Sequence, residues 1–70
     1  MKKSKISVVI PVFNGSETLD ELIKNIIFET KKFSSSYEII LVDDYSTDNS
    51  WHKIKLLSKV NKSIFGIKMA

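Results

Sequence analysis

The sequence predicts an α/β fold, a β-α-β-α-β run that makes up one half of a doubly wound parallel sheet. Three observations lead there. Two nearly continuous apolar runs, Ile6-Ser7-Val8-Val9-Ile10-Pro11-Val12 and Tyr37-Glu38-Ile39-Ile40-Leu41-Val42, are rich in β-branched residues and have the character of strands buried on both faces. Between them Leu19, Leu22, Ile23, Ile26 and Ile27 recur at the spacing of one face of an amphipathic helix. A helical connection of that length brings the second strand back parallel to the first, with a right-handed crossover.

Each element has its own signals. Pro11 has no N–H for a sheet ladder, so it belongs at the carboxyl end of the first strand. Ser16 or Thr18 can cap the first helix, and Thr18 with Glu21 fits a capping box. Lys31-Lys32 suit the negative end of the helix dipole, and Ser34-Ser35-Ser36 reads as a loop. The second strand stops at Asp43-Asp44, two carboxylates that cannot both be buried without partners. Ser46-Thr47-Asp48-Asn49-Ser50 offers several N-caps for a second helix carrying Trp51, Ile54, Leu57 and Val60. Ser63 to Met69 reads as a third strand with an open edge, through which the chain is expected to self-associate.

Composition narrows the class. With 43% hydrophobic and 27% charged residues the chain is built to bury a core, but 70 residues is short for an α/β enzyme, since domains commonly run to about 100–150 residues. The expectation is therefore an incomplete domain. Cysteine is absent, which excludes disulfides and thiolate chemistry and fits a reducing, cytoplasmic setting. His52 stands alone, without a second histidine to share a metal, and reads as a surface helix residue. The lysines at Lys2, Lys3 and Lys5 resemble the start of a signal peptide, but Pro11 and Asn14 break the apolar run behind them. No apolar stretch approaches the roughly 20 residues that span a bilayer, so no transmembrane segment is expected in this chain. The net charge of +3 is spread along the chain, which argues for solvated helix surfaces and no nucleic-acid partner.

Ligands of doubly wound sheets sit beyond the carboxyl ends of the strands. Those ends carry Pro11 to Gly15 and Asp43 to Ser46. No Walker or G-x-G-x-x-G loop is present, because Gly15 and Gly66 are the only glycines. Two adjacent strand ends would set Phe13, a surface for a flat base, opposite two carboxylates that can accept a base N–H or a ribose hydroxyl. A nucleoside fits that chemistry. The alternative is that Asp43 and Asp44 only cap the second helix and satisfy nearby backbone N–H groups.

The stretch Ile6 to Asn14, the helix with Leu19 and Leu22, and Tyr37-Glu38-Ile39-Ile40-Leu41-Val42-Asp43-Asp44-Tyr45-Ser46-Thr47-Asp48-Asn49-Ser50 together resemble the opening of family 2 glycosyltransferases of the GT-A fold. The likeness is greatest to the branch with dolichyl-phosphate mannose synthases and polyprenyl-phosphate sugar transferases. It implies a nucleotide-sugar donor site made of Pro11, Val12, Phe13, Asn14, Gly15, Asp43, Asp44 and Ser46. Within it Pro11, Phe13 and Asn14 would border base and ribose, and Asp44, or in its stead Asp43, would hydrogen-bond the base while its neighbour supports the loop. Phe13 replaces a more usual tyrosine, Gly15 stands where many members have glutamate, and Tyr45 stands where glycine is common.

The same resemblance implies a divalent metal, Mg or Mn, and a catalytic base, both held by residues beyond Ala70. The intact enzyme would transfer a sugar with inversion to an acceptor hydroxyl or a polyprenyl phosphate, a lipid acceptor at the cytoplasmic face of a membrane, in cell envelope polysaccharide synthesis. The isolated chain would be inactive. Two rivals remain. Ile40-Leu41-Val42-Asp43-Asp44 resembles the acidic pair of a receiver-like signalling domain, although that pair normally ends the first strand, and a non-catalytic remnant or interaction module would use the half-fold as a binding surface.

Overall fold

The computed structural model describes residues 5–69, so the lysines at positions 2 and 3 lie outside the described residues. Strand β1 (Ile6–Val12), helix α1 (Leu19–Lys31), strand β2 (Tyr37–Asp44), helix α2 (Ser50–Val60) and strand β3 (Ile64–Met69) follow one another in the expected order. The strands form one sheet in the order β1-β2-β3, and both pairings are parallel. Pro11 lies within β1, opposite Val42. Because β1 is an edge strand in this sheet, the ladder tolerates a residue without an N–H there.

Alternation along each strand sorts the side chains. Val8, Ile39 and Ile64 stand abreast on one face, as do Ile10 and Leu41 beside Gly66. Leu19 and Ile23 of α1 and Ile54 of α2 join Ile39, Leu41, Ile64 and Val12 in a single buried cluster, so both helices cover this same face. Ile26 and Ile27 pack at its margin, completing the inward face of α1. Gly66 is the point of closest approach. A Cβ there would lie 2.5 Å from Ile54 Cγ2 and 3.2 Å from the Trp51 ring, so α2 can rest on β3 only because position 66 has no side chain.

The opposite face departs from the expectation of two-sided burial. Val9, Ile40 and Phe65 form one row there and Pro11, Val42 and Ile67 the next. No described element covers these rows, and Val9, Phe65 and Ile67 are 62%, 49% and 50% exposed. The face is closed off at its amino end by polar groups. Ser7 Oγ donates to Glu38 Oε2 at 2.6 Å and the Lys5 ammonium lies 3.3 Å from Glu38 Oε1. The hydrogen bond from Ser7, and then the Lys5 cation, hold the Glu38 carboxyl below its ordinary range.

Two local expectations need correction. Thr18 is the N-cap of α1, but its side chain makes no capping bond, its hydroxyl donating instead to the Gly15 carbonyl at 3.4 Å, so the capping box with Glu21 does not form. Val60, expected on the inward face of α2, is 83% exposed at the last residue of that helix, whereas Ile54 is fully buried and Trp51 and Leu57 pack beside it. No helix among the described residues is long and apolar enough to cross a membrane.

Candidate functional site

Parallel pairing sets Val12 opposite Asp43, so the segments that leave β1 and β2 emerge side by side at the carboxyl end of the sheet. Each turns sharply through one left-handed residue, Asn14 at φ 50° and Tyr45 at φ 59°. Asparagine tolerates that region, while for a bulky residue such as tyrosine it is uncommon. The glycine usual at position 45 in the family that the sequence resembles has a physical reason, and Tyr45 meets the same backbone demand with a side chain in place.

Hydrogen bonds lock the two segments together. The Asn14 side-chain oxygen accepts the amides of Thr47 at 2.8 Å and Asp48 at 3.3 Å and the Thr47 hydroxyl at 3.3 Å. In return the Asn14 amide donates to Ser46 Oγ at 2.9 Å and the Gly15 amide to Ser50 Oγ at 2.9 Å. Asp48 bridges both sides, Oδ1 accepting the Ser50 amide at 2.9 Å and Oδ2 the Ser16 amide at 3.2 Å. These bonds, that from Ser50 foremost, lower the Asp48 pKa from 3.8 to about 2.

The expected site residues fall into three groups. Phe13, 64% exposed, and Asp44, also exposed, reach solvent from neighbouring strand ends, and Pro11 is exposed on the bare face of the sheet. Asn14, Gly15 and Ser46 take part in the lock, Asn14 through its side-chain oxygen, Gly15 through its amide and Ser46 through its hydroxyl oxygen as acceptor. Val12 and Asp43 point into the helix-covered side. Val12 is 5% exposed and offers a ligand only its backbone, and Asp43 is fully buried with no hydrogen-bond partner for either oxygen among the described residues. Support of the loop by an acidic neighbour, expected of this pair, thus comes from Asp48. Sequence reasoning read Asp48 only as one of several N-caps, although an aspartate two residues before Ser50 is the pattern of an Asx turn.

The carboxyl end of the sheet carries more acidic than basic side chains, the bases being Lys53, 3.0 Å from Asp20, and Lys68, opposite Asp43 in the sheet. Glu17, Asp20, Glu21, Asp43, Asp44 and Asp48 all lie on the strand ends, the connecting loops or the first turn of α1. Among the described residues no three His, Cys, Asp or Glu side chains converge to hold a metal ion. The divalent metal implied by the sequence resemblance therefore finds no ligand set in these residues.

Three parallel strands with both helices on one face and a locked pair of loops at the carboxyl end of the sheet define an α/β module. The family model described as Glycosyl transferase family 2 matches residues 7–69, and the chain belongs to that family. Its three parallel strands and two helices correspond to the amino-terminal β-α-β-α-β part of a GT-A fold. No solved structure matches the chain.

Proposed function

We propose that this chain supplies the nucleoside-binding half of a glycosyltransferase that uses a nucleotide-sugar donor. The observation that carries the reading is the pair Phe13 and Asp44, exposed on adjacent strand ends of a family 2 domain. Phe13 offers an aromatic face for a base to stack on, and the Asp44 carboxylate accepts an N–H from the base or a ribose hydroxyl. Between the two acids, Asp44 takes this role because Asp43 is buried. The diphosphate of such a donor would meet an acidic surface, which is the reason a divalent cation belongs in the complete reaction, with ligands drawn from outside this chain.

The wider reading, drawn from the sequence motif, is transfer with inversion to a hydroxyl or to a polyprenyl phosphate at the cytoplasmic face of a membrane, as in cell envelope polysaccharide synthesis. A carboxylate base outside this chain would deprotonate an acceptor hydroxyl. Alone, the chain is expected to give no turnover with nucleotide-sugars, a divalent metal and a polyprenyl phosphate. Binding is the direct test. Calorimetric titration of the chain with UDP and with GDP should show saturable binding of one of them, weakened at least tenfold by Asp44→Ala. Absence of binding by either nucleotide would remove the proposal.

A second reading draws on the uncovered rows of Val9, Ile40 and Phe65 and of Pro11, Val42 and Ile67, which suit an interaction module that docks through its sheet. Retention of folded monomer with no nucleotide affinity would favour it.

A further inference from the structure

We infer that Asp48 is a positioning residue for the nucleoside site, holding Phe13 and Asp44 at a fixed separation by tying the first strand-end loop to the start of α2. The inference rests on the donor reading above and deepens it. Phe13 immediately precedes the left-handed Asn14, and Asp44 immediately precedes the left-handed Tyr45. The two presenting residues therefore sit at the roots of two sharp turns, and the turns are joined to each other by side-chain bonds. Asp48 bonds to both sides with a single carboxylate, reaching the Ser16 amide with one oxygen and the Ser50 amide with the other.

Asn14 completes the arrangement from the first loop. Its side-chain oxygen already accepts the Thr47 and Asp48 amides and the Thr47 hydroxyl, so it is turned to the second loop. Asn14 thus has a structural task besides the ribose contact that the family resemblance implies. Loss of the Asp48 carboxylate would leave the Ser16 and Ser50 amides without their acceptor, and the loops beyond the last strand pair, Val12 opposite Asp43, would be joined only by the bonds of Asn14 and Gly15. With fewer bonds the first loop opens more often, and the aromatic face and the carboxylate face a base together for less of the time. A ligand that must itself close the loops binds more weakly, because part of its binding free energy goes into ordering them.

The experiment compares wild-type chain with Asp48→Asn, Asp48→Ala and, as a remote control, Glu29→Ala, by calorimetry with UDP and GDP and by amide hydrogen exchange, below the concentration at which the chain associates. Asn keeps one acceptor and loses the second, so the expected order of affinity is wild type, then Asp48→Asn, then Asp48→Ala with a loss of tenfold or more, and no change for Glu29→Ala. Exchange should quicken at Ser16 and Thr47 in both Asp48 variants while Ile39 and Leu41 stay protected, a pattern that a general loss of stability would not give. Affinities of both variants within twofold of wild type would overturn the inference, as would uniform loss of protection at Ile39, Leu41 and Ser16 together. Wild-type chain that binds neither nucleotide is a different failure, and it removes the donor reading on which the inference rests.

Discussion

Gly66 and Ile54 are in mutual contact so close that a single methyl group on the glycine would stand 2.5 Å from Ile54 Cγ2. Helix α2 is seated on β3 at this point, with the Trp51 ring as the second neighbour. Gly66→Ala should overpack the interface and destabilise the fold by about 1–3 kcal/mol. Urea denaturation followed by circular dichroism measures it. Combining it with Ile54→Ala, which removes the opposing methyl, should cost less than the sum of the two single changes, and strict additivity would show that the helix simply shifts to make room.

Tyr45 carries a conformational cost that glycine would not. A left-handed L-residue costs roughly 1–2 kcal/mol, while glycine in its place costs about 0.5–1 kcal/mol in extra unfolded-chain freedom. Tyr45→Gly should therefore leave stability unchanged or raise it by up to about 1 kcal/mol, and Tyr45→Val should lower it. A clear loss on Tyr45→Gly in thermal unfolding would mean that the ring makes a larger contribution than its backbone strain removes.

Acid should loosen the lock over a defined range. The Asp48 carboxyl has its folded pKa lowered to about 2 from 3.8, so its contribution is fully present above pH 3.8 and is lost as pH falls towards 2. Wild-type chain should exceed Asp48→Asn in stability by a constant margin above pH 4, and the two curves should converge near pH 2. Parallel curves across the whole interval would show that the charge of Asp48 is not coupled to folding.

The bare sheet face should govern solubility. Parallel sheets are normally covered on both sides, and here Val9, Phe65 and Ile67 are open in adjacent rows. Sedimentation of the chain should show concentration-dependent association, suppressed by Ile67→Lys, which changes the face but leaves the backbone edge of β3 as it is. Association that survives Ile67→Lys would point to pairing through that edge instead.

Much of the architecture can be read from residues alone, and for identifiable reasons. The spacing of Leu19, Leu22, Ile23, Ile26 and Ile27 and the β-branched runs fix element type, although Leu22 stands 40% exposed outside the core, and the helix-length connections fix parallel pairing. Counting in twos from Ile39 and Leu41 also carries Asp43 inward and Asp44 outward, a distinction available in the sequence that the pairing of two adjacent acids obscured. Val60 was harder, since helical spacing marks a face without saying where packing ends, and at the final residue of α2 there is nothing to pack on. Apolar runs suggest two-sided burial, yet such runs record what a strand tolerates, and in the described residues both crossovers place their helices on one side. Asp48 was read by proximity to a helix start, whereas its second bond, to Ser16 across 32 positions, depends on how two strands are aligned.

That long reach bears on how the molecule acquires its site. The bonds between the loops close circuits of 32 to 35 positions, as far apart along the chain as the paired strands themselves. Helix α1 can form from local contacts, but the lock cannot exist before β1 finds β2, and contacts of such sequence separation are the slow events in the folding of small domains. The lock is thus assembled in the same step as the sheet, and a one-residue slip in strand register would give a chain with its helices intact and its two loops unjoined.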